Sequence, residues 1–269
     1  MVSIVHNVSE RCRDLVEAET KAVLLVGGLG TRLRALAPST PKPLAPIGDC
    51  PFLELLIRQL YEQGIQRLVM CTGYLAEHIE NEFGNGQTLG VTIEYSKEPH
   101  PLGTAGAIKF AQRHLQSIPE FVVMNGDSFL EIDLRQLLDF HRAHRGLITM
   151  AMVSAENAGR YGTVHTDSSN RVTEFCEKTG NDSAGLINGG VYVFSRAVLD
   201  LIPDGQVSLE KDVIPRLLNH GVYGSEQRGI FIDIGTPVDY KRAQHLLEHL
   251  NRASHQDALG RQSLRGRKS

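Results

Sequence analysis

The chain reads as an α/β protein, with a mainly parallel sheet held between helices in three layers. Three observations predict this. From Lys21 onward, apolar runs of strand length alternate with amphipathic stretches of helical period. The first run, Val23 to Val26, ends in a glycine-rich turn, Gly27-Gly28-Leu29-Gly30. The 269 residues suffice for one large α/β unit with additions. In such sheets ligands collect beyond the carboxyl ends of the strands, so the residues just after each strand are where chemistry is expected.

In chain order, residues 1–20 form an extension ahead of the first strand. Within it Val8 to Glu19 predicts a short amphipathic helix, with Ser9 as N-cap and Leu15 and Val16 on the apolar side. A helix starts at Phe52 and is closed by Gly64, and a strand follows over Leu68–Thr72. Then come a helix over Ala76–Phe83, a turn at Gly84-Asn85-Gly86, a strand over Val91–Tyr95 and a helix opening at Gly103. Phe121–Met124 is a buried strand running into Asn125-Gly126-Asp127. After this the pattern changes: Thr149–Val153, Gly162–Thr166, Val172–Cys176 and Gly190–Phe194 are short strands separated by turns, which predicts a mixed extension lying as a lid on the first half. A helix is entered at Ser208, a strand over Ile230–Gly235 leads to a turn, and Val238–Leu250 is the last helix. Residues 251–269, with five basic residues and one acidic, read as a disordered tail.

The bulk numbers exclude several classes of partner. With 28 Lys and Arg against 31 Asp and Glu, net charge is −3, which gives no electrostatic basis for nucleic acid or an anionic membrane. Cys12, Cys50, Cys71 and Cys176 form no Cys-x-x-Cys pair, and no 18-residue apolar stretch occurs, so a cytoplasmic setting is expected. His141 and His144 have helical spacing but no third ligand. In the polar run Asp139–Arg145 they are expected on a solvated helix face rather than at zinc.

The glycine turn is a phosphate-binding candidate. Gly27, Gly28 and Gly30 lack a Cβ, so their backbone N–H groups can approach an anion closely. Arg32 and Lys42 follow as cations. It is not a Walker loop, which needs Gly-x-x-x-x-Gly-Lys-Ser/Thr, nor a dinucleotide fingerprint, whose third glycine would fall on Leu33. Two carboxylates are candidate magnesium ligands: Asp127 after a buried strand, and Asp233 among Phe231, Ile232 and Ile234, where a carboxylate demands a compensating group.

Gly27-Gly28-Leu29-Gly30-Thr31-Arg32-Leu33, followed by Pro41-Lys42-Pro43, resembles the signature of the sugar-nucleotide pyrophosphorylases, nucleotidyltransferases that join an NTP to a sugar 1-phosphate. The resemblance covers residues 21–250. It implies a Rossmann-like fold of the GT-A type with a nucleotide-binding half (21–147) and a sugar-binding half (148–250). It implies that Gly27, Gly28, Gly30 and Thr31 bind the NTP phosphates, that Arg32 stabilises the leaving pyrophosphate and that Lys42 steadies the α-phosphate. Asp127 and Asp233 would hold Mg2+. Glu98 to Gly106, with Gly103 and Thr104, resembles the segment that contacts the base and opens the next helix. Tyr161-Gly162, Glu174–Lys178 and Leu186–Gly190 resemble the sugar-phosphate elements, which assigns Gly162, Glu177, Lys178 and Asn188 to the sugar phosphate. Thr179 stands where the family usually has proline.

Within the family the chain looks most like the D-glycero-α-D-manno-heptose 1-phosphate guanylyltransferases, which implies GTP, a heptose 1-phosphate and often a homo-oligomer. Thymidylyl- and uridylyltransferases acting on glucose, mannose or muramic acid phosphates share much of the pattern, and a nucleotide-sugar sensor of the same fold would lack turnover. A kinase-like phosphotransferase would release NDP instead of pyrophosphate.

Overall fold

The computed structural model describes residues 20–28, 41–176 and 183–247. The expected N-terminal helix with Ser9, the expected tail, and the candidate residues Gly30, Thr31, Arg32, Glu177 and Lys178 lie outside these ranges.

The first strand, β1 (Lys21–Leu25), and β4 (Arg67–Thr72) are almost wholly apolar and almost wholly buried, as strands covered on both faces must be. They pair in parallel, with β5 (Thr92–Lys97) beyond β4 and β6 (Glu120–Asn125) on the other side of β1. Side chains alternate across the sheet. Ala22 and Leu24 enter one core with α1 (Phe52–Glu62), α2 (Ala76–Phe83) and α4 (Leu134–His144). Val23 enters the other, with α3 (Gly103–Phe110), α5 (Val198–Leu201) and α6 (Ile214–Leu217). The expected three layers are therefore present. Helix α1 shows how sequence sets this: Phe52, Leu53, Leu56, Ile57 and Leu60 make one buried stripe at helical spacing. Gly64, at φ +85°, then turns the chain in a conformation costly for other residues.

The mixed extension continues the main sheet. The eleven-residue strand β11 (Gly185–Ser195) pairs antiparallel with β6 along one edge and with β8 (Ile148–Ala155) along the other. β12 (Val222–Gln227) adds to β8, and β9 (Thr163–Thr166) with β10 (Val172–Cys176) adds to the start of β11, giving nine strands. The sequence places this strand only from Gly190 because Asn188-Gly189-Gly190 has turn composition. Those residues instead form a bulge inside one strand, with Gly190 at φ +73° and the register shifting between Asn188 and Tyr192. Two small ribbons complete the structure: β2 (Pro46–Ile47) with β3 (Cys50–Pro51), and β7 (Ser128–Leu130) with β13 (Phe231–Asp233). Helix α7 runs through 237–247. No described helix is long and apolar enough to cross a membrane.

His141 corrects the expectation of a solvated face. It is 2% exposed, with Nδ1 2.8 Å from Thr149 Oγ1 and Nε2 3.1 Å from Ser195 Oγ. Ser195 Oγ donates to the Gly146 carbonyl at 2.7 Å, so it accepts from His141 Nε2–H, and Nδ1 accepts from Thr149. Burial pushes the imidazole down to about 4, aided by Arg142. The unfolded chain thus binds a proton that the folded chain refuses between roughly pH 6.5 and 4, and stability must fall as pH drops through that window. A loss of about 2 kcal/mol is expected from this group between pH 7.5 and 5, read as a falling urea midpoint over that range. His141→Gln should flatten that slope. An equally steep slope in the variant would show that other groups carry it.

Candidate active site

Lys42 lies at the centre of the site. Pro41-Lys42-Pro43-Leu44 forms a tight turn in which Leu44 N–H donates to the Pro41 carbonyl (2.8 Å) and Ala45 N–H to that of Lys42 (3.1 Å). Two prolines fix their own φ and restrict the lysine backbone between them. The side chain is 10% exposed, and its Nζ donates to Asp127 Oδ2 at 2.7 Å and reaches Asp233 Oδ1 at 3.5 Å.

The two aspartates, far apart in sequence, are brought together by the β7–β13 ribbon. Asp233 ends β13 opposite Ser128, and Ile234 N–H donates to the Asp127 carbonyl at 3.0 Å. Asp127 itself sits between β6 and β7, beyond the carboxyl end of a central strand. Burial and the neighbouring Asp127 carboxylate raise the Asp233 carboxyl above its ordinary range, with Lys42 and the Gly235 N–H opposing them. This is the compensation that the apolar flanks of Asp233 demand. A converging pair of carboxylates, one of them half-exposed, offers hard oxygen donors suited to Mg2+ shared with phosphate oxygens.

Gly27 and Gly28 follow β1 at the same crevice. Gly27 packs so closely on the end of β4 that a Cβ would lie 3.0 Å from the Gly73 nitrogen and 2.8 Å from Glu98 Oε1, whereas Gly28 faces open space. A side chain at the first position would crowd the end of β4, and the second leaves the backbone accessible.

Gly103 and Thr104 pack against residues 207–210. Gly103, at φ +71°, abuts Val207, whose carbonyl would be 2.5 Å from an added Cβ. Thr104 Oγ1 accepts from Leu209 N–H (2.7 Å) and donates to Glu210 (2.9 Å). The start of α3 is therefore spent on seating residues 207–210, and Leu102, not Thr104, stands at its N-cap. The group from this segment that lies beside Gly27 is Glu98, its first residue. Its Oε2 accepts from Leu102 N–H at 2.8 Å, and burial raises its carboxyl, with Leu102 N–H and His100 opposing. The available signal was its place one residue beyond β5, at the strand end where ligands gather.

On the other side of Asp233 opens a cavity of about 610 Å³, lined by Tyr161, Phe231, Asp233, Arg160, Asp239 and Arg242 among others. Gly162 and Asn188 meet near it, Asn188 N–H donating to the Gly162 carbonyl at 3.1 Å. The Asn188 amide stabilises the β11 bulge, donating to Tyr192 Oη and accepting from Gly190 N–H. The structure thus joins Lys42, Asp127 and Asp233 in one charged cluster, with Gly27 and Gly28 at the end of β1, the strand parallel to β6, and Gly162 and Asn188 beside the adjoining cavity. No cluster of three or more His, Cys, Asp or Glu occurs among the described residues.

Residues 21–249 match the family described as nucleotidyl transferase. A D-glycero-alpha-D-manno-heptose 1-phosphate guanylyltransferase of Aneurinibacillus thermoaerophilus is 42% identical over 231 residues, covering 85% of this chain and 99% of that protein. A mannose-1-phosphate guanylyltransferase of Mycobacterium tuberculosis is 43% identical over 228 residues, 83% of this chain, which spans only 63% of that protein's length. The crystal structure of HddC from Yersinia pseudotuberculosis, also solved with GMP-PN, superposes with a TM-score of 0.76 at 32% identity, covering 84% of this chain and 98% of that one.

Proposed function

The chain belongs to the nucleotidyl transferase family, and from that premise we propose that it transfers GMP from GTP to a sugar 1-phosphate, D-glycero-α-D-manno-heptose 1-phosphate being favoured, with release of pyrophosphate. The observation that carries the reading is Lys42 held between Asp127 and Asp233, with a cavity opening beside Asp233.

A sugar phosphate oxygen attacks the α-phosphorus as the bond to pyrophosphate breaks, and no protein nucleophile is required. What the reaction needs is alignment and neutralisation of charge. Gly27 and Gly28 accept the phosphates, and Lys42, on its rigid turn, meets the charge growing on the α-phosphate. Arg32 and Thr31 complete the nucleotide side, and Glu177 and Lys178 the sugar side, in residues 21–147 and 148–250 respectively. Bound through Asp127 and Asp233, Mg2+ would neutralise the phosphate oxygens. A nucleotide pool supplied in the cytoplasm fits this reaction.

Glu98 supports guanine over the other bases. A carboxylate accepts from both N1–H and the N2 amine of guanine, a pair of adjacent donors that adenine, uracil and thymine lack.

The test is pyrophosphate release with Mg2+, five NTPs, and heptose, mannose, glucose and N-acetylmuramic acid 1-phosphates. Release with GTP and the heptose phosphate is expected. NDP release, or a preference for UTP or dTTP, would overturn the reading. In the same assay Glu98→Gln should raise the KM for GTP about 30-fold, the cost of about 2 kcal/mol of mispaired donors, with ITP affected less because it lacks the N2 amine. Equal effects on GTP and ITP would remove Glu98 from base recognition.

A further inference from the structure

The wall shared by the cavity and the Asp233 turn carries an ion pair with no part in the reading above. The turn after Asp233 is built in steps. Gly235 N–H donates to Asp233 Oδ1. Asp239 N–H donates to Thr236 Oγ1 at 3.2 Å, and Thr236 Oγ1 donates to Asp239 Oδ2 at 2.6 Å, closing a capping arrangement at the start of α7. Asp239 is 6% exposed, and its Oδ2 also accepts from Arg160 Nη2 at 2.7 Å. Arg160 ends the helical turn Ala158–Arg160 and lines the same cavity as Asp239. Its guanidinium lies 5.7 Å from the Tyr161 ring centroid, and Tyr161 in turn meets Phe231 edge to face at 5.6 Å. Phe231 is two residues before Asp233 on β13.

The loop that leads to Gly162 is therefore tied twice to the segment that bears Asp233, once through charge and once through aromatic rings. An exposed ion pair would contribute little. Here the Asp239 side chain is nearly enclosed, so removing its cation leaves a buried charge without its strongest partner.

We propose that Arg160 and Asp239 form a positioning clamp that holds the Asp233 carboxylate at a fixed place relative to the sugar-side loop, setting the alignment of acceptor and α-phosphate. The inference rests on Asp233 as a ligand of the divalent cation. Neither clamp residue touches reacting atoms. Their effect runs through Asp233, and in-line displacement is sensitive to displacements of about 1 Å.

The test uses Arg160→Met, Arg160→Lys and Asp239→Asn in the full chain, with two readouts taken well below each variant's melting temperature. The first is kcat, with separate KM values for GTP and the sugar 1-phosphate. The second is Mn2+ affinity by electron paramagnetic resonance, which needs no turnover. Arg160→Met and Asp239→Asn should each lower kcat 10- to 100-fold, weaken Mn2+ severalfold and leave the KM for GTP within about threefold, while Arg160→Lys recovers much of kcat. If Arg160→Met does not fold, Asp239→Asn, which keeps the Thr236 contact, carries the test. Folded variants with lowered melting temperature but wild-type kcat and Mn2+ affinity would overturn the clamp and leave a purely structural pair. A wild-type protein that turns over with GTP yet binds Mn2+ independently of Asp233 would overturn the clamp alone, whereas one that neither binds Mn2+ nor releases pyrophosphate would overturn the catalytic reading with it.

Discussion

Replacing Asp233 with Asn is expected to lower turnover by about 10²- to 10³-fold, some 3–4 kcal/mol of transition-state stabilisation, while leaving the protein folded. The asparagine side-chain oxygen can still accept from Gly235 N–H, so the turn into α7 survives. What disappears is the negative charge that would draw a divalent cation to the phosphates. Stability should move the other way. Burial and Asp127 disfavour the charged form of Asp233 more than Lys42 favours it, so the neutral amide should melt at the same temperature or higher. Pyrophosphate release at saturating substrates and a thermal melt decide this together. A variant with near-wild-type turnover would remove Asp233 from the metal site.

The strands and helices of the first half were legible because each carries its own signal: a buried apolar run for β1, β4 and β6, and a stripe at helical spacing for α1. Gly27 and Gly28 were legible for the same reason, since they follow directly on β1. What could not be read is pairing over long range. β7 and β13 are three residues each, too short to show periodicity, yet their antiparallel register is what sets Asp127 beside Asp233.

Local composition misled in two places where tertiary contacts decide. Glycines in Asn188-Gly189-Gly190 indicate a turn, but packing of Gly190 against Ser128, where an added Cβ would lie 2.5 Å from Oγ, makes them a bulge within a strand. A polar run around His141 indicates solvent, but Thr149 and Ser195 from β8 and β11 satisfy both ring nitrogens and allow it to be buried. In each case the residue types fit two environments, and only a partner distant in sequence chooses between them.

Lys42→Met is the variant that separates charge from shape. Methionine fills much of the space of the lysine stem, and the paired prolines keep the turn, so the fold should persist. Without the ammonium, Asp127 and Asp233 face each other unscreened, and the Asp233 carboxyl should rise further, since Lys42 is the main group lowering it. Turnover should fall by about 10²- to 10³-fold, because the α-phosphate loses its fixed cation in a site that is partly desolvated. The vacated charge has a second consequence. With no lysine competing for the carboxylates, Mn2+ in the absence of nucleotide should raise the melting temperature of Lys42→Met by more than it raises that of the wild type. A loss of activity with no difference in the Mn2+ response would mean that Lys42 acts on the nucleotide alone and that the two aspartates do not share a cation.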